Sequence, residues 1–240
     1  MLKYILQQDK AISKEVFTLA FPVILSNLSR VLMSVVDVAM VGRLGAAALA
    51  ATGMGAMLFW GALSLVIGIR TGVQTVASRR LGQKKYDQCG TAFHNGLLMA
   101  TVYGLPVSIA GWLLAKDFVP FFINDPKATP LTIEYSSIIF LGLLFSSYSF
   151  VFQGFYTGVE KTKIHMRVSI TSNVINVYLN AGLIYGSEGV KIFFSEVTPH
   201  LSFLSYLWQW TAFPAMGVKG AAIATLVASL WMFVHYGAYL

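Results

Sequence analysis

Apolar stretches of about twenty residues recur along this chain, and they constrain its fold more than any other feature. A helix of that length crosses the hydrocarbon core of a bilayer, where every backbone polar group must find its partner within the protein. The composition agrees, since 11% of the 240 residues are charged, against about a quarter in a soluble domain. The mean hydropathy is +0.68. We therefore predict an all-α integral membrane protein.

Six of these stretches are predicted to be transmembrane helices that form one bundle over residues 1–240. The predicted spans are residues 13–41, 46–76, 91–115, 132–155, 165–185 and 218–240. An aromatic connector, residues 189–214, precedes the last span and carries Trp208 and Trp210 beside charged residues and Pro199. Because Trp favours the headgroup level of a membrane, we predict an interfacial segment here, with a seventh span as the alternative. Residues 1–16 are also amphipathic, and we predict that they form a cytoplasmic helix resting on the membrane.

The distribution of Lys and Arg residues between the spans predicts the orientation. The connectors on one side carry roughly ten of them, and those on the other side carry roughly five. Since cytoplasmic loops carry the excess of positive charge, both termini are predicted to be cytoplasmic, with the bundle in the cell (inner) membrane. The basic residues of the cytoplasmic loops account for the net charge of +7. The predicted partner of the chain is therefore membrane lipid and not nucleic acid. The single Cys89 excludes an intrachain disulfide.

A polar stripe interrupts the first span. Its members are spaced three, four and three residues apart, which places them on one face of a helix: Asn27, Arg30, Ser34 and Asp37. An ionisable group at membrane depth costs on the order of 2.5–3.5 kcal/mol, so such a face predicts a bundle interior or a water-filled cavity. Burial disfavours the charged form of a carboxylate, which makes Asp37 a candidate for proton exchange. A structural pairing of Arg30 with Asp37 is the alternative.

Two further residues of the first span have competing interpretations. Pro22 removes a backbone hydrogen bond and predicts a bend or hinge in the helix, unless the helix begins near this residue. Met33 is a candidate for lining a promiscuous apolar cavity, although Met is also ordinary filler in membrane helices. The sequence leaves both pairs of alternatives open.

The fifth span carries a second polar stripe. Asn173, Asn176 and Asn180 are spaced three and four residues apart, and Ser169 lies one turn earlier. Amide side chains both donate and accept hydrogen bonds, so this face is suited to receive a carboxylate or a hydrated sodium ion. The same residues are also suited to join helices, at about 0.6 kcal/mol each. With two polar stripes in one bundle, we predict that they face each other across a cavity.

Several motifs of this chain, in the same order, resemble those of the multidrug and toxic compound extrusion (MATE) transporters. The resemblance covers nearly the whole chain except the aromatic connector. The residues that carry it are the segments 21–27 (Phe-Pro-Val-Ile-Leu-Ser-Asn), 36–50 (beginning Val-Asp-Val-Ala-Met-Val-Gly-Arg-Leu-Gly), 70–74 (Arg-Thr-Gly-Val-Gln), 81–83, 153–163, 173–186 and 214–225.

The resemblance implies a six-helix bundle that corresponds to one lobe of a transporter with about twelve helices. It also implies a secondary active antiporter, in which entry of H⁺ or Na⁺ drives the export of small organic, often cationic, compounds without any other cofactor. Asp37 matches the aspartate of the first helix in this family, and Asn173 and Asn180 match positions of the fifth. Family members with Asp at the position of Asn180 are common, so the coupling ion stays open. Thr225 matches a polar position of the sixth helix.

The match to a single lobe leaves three accounts open: a truncated product, a half-transporter that forms a homodimer, and one chain of a two-chain assembly. Because transporters place substrate between repeats, we expect a second lobe or a homodimer partner to complete the site. The alternative functions are a lipid-linked oligosaccharide flippase of the same broad fold and a non-transporting membrane fragment. No nucleophile–base pair and no metal-ligand spacing of His residues is found, so we predict neither an enzyme nor a metal site.

Overall fold

The structure, a computed structural model, describes residues 10–197 and 199–240, and this part of the chain is built from helices. The long helices are α1 (Lys10–Gly42), α2 (Ala46–Gly82), α3 (Tyr86–Leu113), α4 (Ala128–Leu141), α5 (Leu143–Gly158), α6 (Thr162–Val197) and α7 (Val218–Gly237). Shorter helical turns occupy Ala115–Phe118, Val119–Phe121, Pro199–Ser205 and Tyr206–Gln209. The predicted all-α class is confirmed. The helix predicted over residues 1–16 falls largely on residues 1–9, which lie outside the described residues.

Four helices are long and apolar enough to cross a membrane: Ile12–Gly42 within α1, and the whole of α2, α3 and α7. α4 and α5 together qualify as a fifth span that is bent by 49°. α6 contains the span predicted over residues 165–185, but it is not one of the helices in the described chain that meet this criterion. Its asparagine stripe lowers its hydropathy, so a membrane span in α6 stays a prediction.

The segment predicted as the fourth span, residues 132–155, is divided between α4 and α5 at Gly142. The N–H of Gly142 donates to the carbonyl oxygen of Ile139 at 2.9 Å and closes a tight turn. A Cβ atom on Gly142 would lie 3.2 Å from that oxygen and 3.2 Å from Leu226 of α7. The missing side chain therefore allows α7 to pack against the bend.

α6 changes direction at Gly186, whose φ of +73° lies in the left-handed region that favours glycine. The helix continues beyond this point, so the first part of the predicted connector, residues 189–214, is helical. The rest of the connector folds back onto α6. Ser187 Oγ donates to the carbonyl oxygen of Trp208 at 2.7 Å, and Trp208 Nε1 donates to that of Tyr178 at 2.7 Å. The position of the connector at a membrane surface stays a prediction.

The helices pack in two groups. α1 packs along α6 and α6 along α7, while α2, α3, α4 and α5 pack against one another. Glycine allows two of these close approaches. A Cβ atom on Gly154 of α5 would fall on the carbonyl oxygen of Arg70 in α2, and one on Gly220 of α7 would fall on that of Leu183 in α6. Backbone contact at these positions fixes the spacing of the helices within each group.

Two buried apolar clusters join the groups. The Phe140 cluster comprises Val41, Ala48, Leu63, Val66, Tyr135, Ile139, Phe140, Leu143, Ile184, Val218, Ala221 and Ala222. The Phe152 cluster comprises Val73, Phe93, Ala100, Val151, Phe152, Tyr156, Val168 and Tyr236. In the second cluster the rings of Phe152 and Tyr236 are stacked with centroids 5.3 Å apart.

In the loop that precedes α4, the side chain of Asp125 closes a turn by accepting backbone hydrogen bonds. Asp125 Oδ1 accepts hydrogen bonds from the backbone N–H of Ala128 at 2.7 Å and of Lys127 at 2.9 Å. These bonds stabilise the ionised form, and they hold the pKa of Asp125 below its usual range. The turn therefore favours the start of α4 as long as Asp125 is charged.

Candidate functional site

A cavity of about 410 Å³ lies between α1, α6 and α7 on one side and α2, α4 and α5 on the other. Small-molecule sites in proteins span about 300–1,000 Å³, so this volume suits a compact organic ligand. Its aromatic wall includes Phe59, Trp60 and Phe150. Its polar wall comes mainly from the two predicted stripes and their neighbours: Ser26, Asn27, Arg30, Ser34 and Asp37 of α1, and His165, Ser169, Ser172, Asn173, Asn176 and Asn180 of α6. The structure thus brings both stripes to one cavity.

The carboxylate of Asp37 meets the asparagines of α6 at one end of this cavity. Asn180 Nδ2 donates to Asp37 Oδ1 at 2.6 Å and to Asn176 Oδ1 at 2.7 Å. Asn180 is 2% exposed, and its own Oδ1 is buried without a hydrogen-bond partner in the described chain. An unsatisfied buried acceptor costs about 1–3 kcal/mol. The carboxylate of Asp37, which lines the cavity, therefore offers a place for a proton or for a hard cation that prefers oxygen ligands.

Tyr135 and Thr225 lie at the same end. Thr225 of α7 lines the cavity and donates its hydroxyl group to the carbonyl oxygen of Ala221 at 3.0 Å. Tyr135 of α4 is 9% exposed and lies beside Thr225, within electrostatic range of Asp37. The resemblance pointed to Thr225. Tyr135 was not predicted, because a lone Tyr in an apolar helix carries no signal of a site.

A set of hydrogen bonds holds α1 against α6. Asn173 Nδ2 donates to Ser29 Oγ at 2.7 Å, and the Tyr185 hydroxyl donates to the carbonyl oxygen of Met40 at 2.6 Å. With the bond between Asn180 and Asp37, these contacts cover about three turns of α1. Asn173 therefore both lines the cavity and joins the two helices.

Arg30 contributes a cation to the cavity wall. Its Nη2 donates to Asn27 Oδ1 at 3.1 Å. The structural pairing of Arg30 with Asp37 is not formed, since the ion pair found among the described residues joins Lys219 Nζ to Glu134 Oε1 at 3.6 Å. Arg30 and Asp37 therefore act as separate groups on one helix face.

The structure places both residues of the first span that have competing interpretations. α1 covers Lys10–Gly42 in the described chain, so Pro22 lies inside the helix and not at its start. Ser26 Oγ also donates to the carbonyl oxygen of Pro22 at 2.8 Å, and an internal proline and a serine bonded in this way both favour bending. Met33 is 8% exposed and lines the cavity.

At the opposite end from Asp37, a chain of hydrogen bonds connects four helices. Arg70 Nη1 of α2 donates to Gln153 Oε1 of α5 at 3.4 Å. Gln153 Nε2 lies 2.8 Å from His165 Nε2 of α6, and His165 Nδ1 is bonded to the hydroxyl group of Tyr236 in α7. These residues were not predicted as a site, because each is an isolated polar residue on its own helix.

The fold and the cavity define a lobe of a helical membrane transporter. The chain belongs to the MatE family, whose model matches residues 22–181. The resemblance noted in the sequence is therefore confirmed.

Known relatives agree with this assignment. The chain is 25% identical over 227 residues to a probable multidrug resistance protein NorM of Mesorhizobium japonicum, covering 92% of this chain and 42% of that protein. It is 30% identical over 183 residues to a probable NorM of Photorhabdus laumondii, covering 74% and 39%. The chain thus spans about two fifths of the length of these relatives.

Solved structures show the same fold. A crystal structure described as MATE in the bent conformation superposes with a TM-score of 0.75 at 21% identity, over 95% of this chain and 45% of that one. The all-α lobe predicted from the sequence is confirmed by this superposition.

Proposed function

We propose that this chain forms the ion-coupled lobe of a secondary antiporter that exports small organic compounds, with a proton or a sodium ion entering at Asp37. One observation carries the proposal. The carboxylate of Asp37 lies at the wall of a cavity whose volume suits such a compound, and it is hydrogen-bonded to the buried Asn180. An ion bound at this carboxylate changes the charge of the cavity that holds the compound, so ion entry and compound release are coupled.

The coupling follows from Coulomb's law. A ligand cation about 4 Å from an ionised Asp37 is attracted by about 4 kcal/mol at an effective dielectric constant of 20. A proton on the carboxylate, or a sodium ion beside it, removes most of that attraction. A cationic compound therefore binds while Asp37 is ionised and is released when the ion enters.

We propose that Pro22 is the hinge of this step. The bonds between α1 and α6 begin at Ser29, so the part of α1 before Pro22 is not held by them. The MATE structure in the bent conformation supports a bend in this family, which we place at Pro22. Pro22→Ala is expected to narrow the distance distribution between spin labels on the exposed positions Val16 and Tyr86. An unchanged distribution would exclude Pro22 as the hinge.

We further propose that a second lobe, from a second copy or another chain, covers the open side of the cavity. The relatives are more than twice as long as this chain, which supports a site shared between two lobes. We place the protein in the cytoplasmic membrane with both ends of the bundle inside, on the distribution of Lys and Arg. Cross-linking of the purified protein in mild detergent tests the homodimer, and an exclusively monomeric, inactive protein contradicts it.

The central test is ethidium transport by proteoliposomes under an imposed proton or sodium gradient. Asp37→Asn keeps the shape of the side chain and removes its charge. Asp87→Asn, at the exposed start of α3, is the matched control. We expect wild type and the control to move ethidium in response to one gradient, which identifies the coupling ion. Asp37→Asn is expected to lose this response, and equal transport by Asp37→Asn and wild type would remove Asp37 from the mechanism.

A further inference from the structure

We infer that the end of the cavity opposite Asp37 is a subsite for an anionic group, a carboxylate or a phosphate, bound by the guanidinium group of Arg30. The inference rests on the proposed function and names the class of compound that the same cavity takes. That class is a zwitterion, with its cationic group towards Asp37 and its anionic group at Arg30.

Positive charge gathers at this end. Arg30 lines the cavity and lies close enough to Arg70 and to His165 to repel positive charge on either of them. Asp37 follows Arg30 by seven residues, which is about 10 Å along the helix axis. The cavity therefore has a positive end and an acidic end.

No carboxylate of the described residues neutralises the positive end. Arg70 meets the neutral Gln153 at 3.4 Å and the ring of Phe150 at 5.9 Å, and its Nε is buried without a hydrogen-bond partner in the described chain. The acceptor of Arg30 is the neutral Asn27. Arg70 is half-buried, where a cation is costly unless an anion accompanies it, whereas Arg30 is exposed. Neither guanidinium group has a carboxylate partner among the described residues, and Arg30, which lines the cavity, is the one that a ligand reaches.

The hydrogen bonds of His165 do not change this balance. An arginine only donates, so Gln153 presents Oε1 to Arg70 and its NH₂ group to His165 Nε2. His165 Nε2 must then accept, which assigns the neutral imidazole with its proton on Nδ1, directed at the Tyr236 hydroxyl. The chain of bonds holds Arg70 in place without adding a negative charge.

Arg30 has the free donors that such a ligand needs. A guanidinium group carries five N–H donors in a planar fork, and the structure shows one of these bonded, to Asn27. The fork matches the two oxygens of a carboxylate or phosphate, which makes paired, charge-assisted hydrogen bonds. Arg30 is exposed to the cavity, so the ligand reaches these donors without a rearrangement of α1.

The aromatic side chains that line the cavity indicate what the uncharged part of the ligand is. Trp60 and Phe150 meet edge to face with ring centroids 6.2 Å apart, and both line the cavity. Such surfaces favour a flat aromatic body. The expected compound is therefore an aromatic zwitterion small enough for a cavity of about 410 Å³.

Two dyes that differ only at the anionic group test the subsite: rhodamine 110, a zwitterion with a free carboxylate, and its methyl ester, rhodamine 123. Binding to the purified protein in maltoside micelles is measured by fluorescence polarisation. A charge-assisted bond predicts that wild type binds the free acid at least about tenfold more tightly than the ester. Arg30→Gln is expected to abolish this preference while keeping its affinity for the ester, which also shows that the variant is folded.

Two further variants sharpen the result. Arg30→Lys keeps the charge and is expected to retain part of the preference, and Arg43→Gln, a cation outside the cavity, is expected to retain all of it. A preference that survives in Arg30→Gln, or wild type that binds the ester as tightly as the acid, overturns the subsite. Loss of the preference in Arg30→Gln without any ion-driven transport by wild type contradicts the proposed coupling alone. Failure of folded wild type to bind either dye contradicts both proposals.

A lipid phosphate and a free carboxylate share this chemistry, and competition distinguishes them. Phosphatidylglycerol is added to the micelles in each titration. If added lipid displaces the free acid and not the ester, the subsite is supported with a lipid phosphate as its natural source. If the lipid has no effect, the subsite is supported with the carboxylate of a small molecule as the source.

Discussion

A double-mutant cycle with Asp37→Leu and Asn180→Leu measures the hydrogen bond that joins α1 to α6 at the acidic end of the cavity. The two side chains meet at 2.6 Å, and Asn180 is 2% exposed. A hydrogen bond to a charged group contributes about 1.5–3 kcal/mol. We expect Asn180→Leu alone to lower the free energy of unfolding by at least this amount, since it leaves the carboxylate without its donor. The coupling energy of the cycle is expected to be about 1.5–3 kcal/mol.

The assay is unfolding of the purified protein by SDS in mixed micelles, followed by helical circular dichroism. Asn180 also donates to Asn176, but the loss of that bond occurs on both sides of the cycle and cancels. The matched control is a second cycle, with Asn173→Leu and Ser29→Ala. It removes a neutral bond of 2.7 Å between the same two helices, for which about 0.6 kcal/mol is expected.

The difference between the two cycles is the decisive result. A coupling energy for Asp37 and Asn180 that equals the control value would refute a charge-assisted bond between these two side chains. A coupling energy that falls to the control value on acidification is expected, because a protonated carboxylate no longer offers a charged acceptor.

Two further predictions concern stability, measured by the same SDS titration. Gly154→Val places a side chain on the carbonyl oxygen of Arg70 and is expected to lower the free energy of unfolding by about 1–3 kcal/mol. The control Gly68→Ala meets no atom within 4 Å and, because alanine favours a helix interior over glycine, is expected to leave this free energy unchanged or raise it by up to about 1 kcal/mol; equal effects would contradict the close approach of α5 to α2. Asp125→Ala is expected to lower the midpoint at pH 7, because its carboxylate accepts two backbone N–H bonds in the folded state. Since folding lowers the pKa of Asp125, this stabilisation is present above the ordinary value of about 3.9 and is lost as the pH falls through the lowered value, where the two midpoints converge. Equal midpoints at pH 7 would show that these bonds do not stabilise α4.

Spacing alone predicted the two polar stripes and their meeting. A period of three and four residues identifies one helix face without knowledge of the fold, and Asp37 and Asn180 do lie in contact. The hydrogen-bond partner of each side chain was harder to predict from the sequence. Asn173 bonds to Ser29 on α1, which lies off the predicted stripe. The reason is that the crossing angle of α1 and α6 decides which of their side chains meet, and spacing within one helix does not give this angle.

The opposite end of the cavity was not predictable in the same way. Arg70, Gln153, His165 and Tyr236 each stand alone on a different helix, so no periodicity links them. Their meeting depends on the contact at Gly154, which brings α5 onto α2. A glycine in an apolar run gives no sign of which backbone it will touch.

The placement of the two apolar clusters has a mechanical consequence. Five members of the Phe140 cluster and one member of the Phe152 cluster, Tyr236, line the cavity, and each cluster ties the group of α1, α6 and α7 to the rest of the bundle. Each cluster is therefore an apolar contact that holds the two groups of helices together. Separating the groups at either cluster exposes apolar side chains, at a cost of about 25 cal/mol per Å². The cost of separation at each cluster scales with its apolar area, so the two groups come apart first at the cluster that buries less apolar surface.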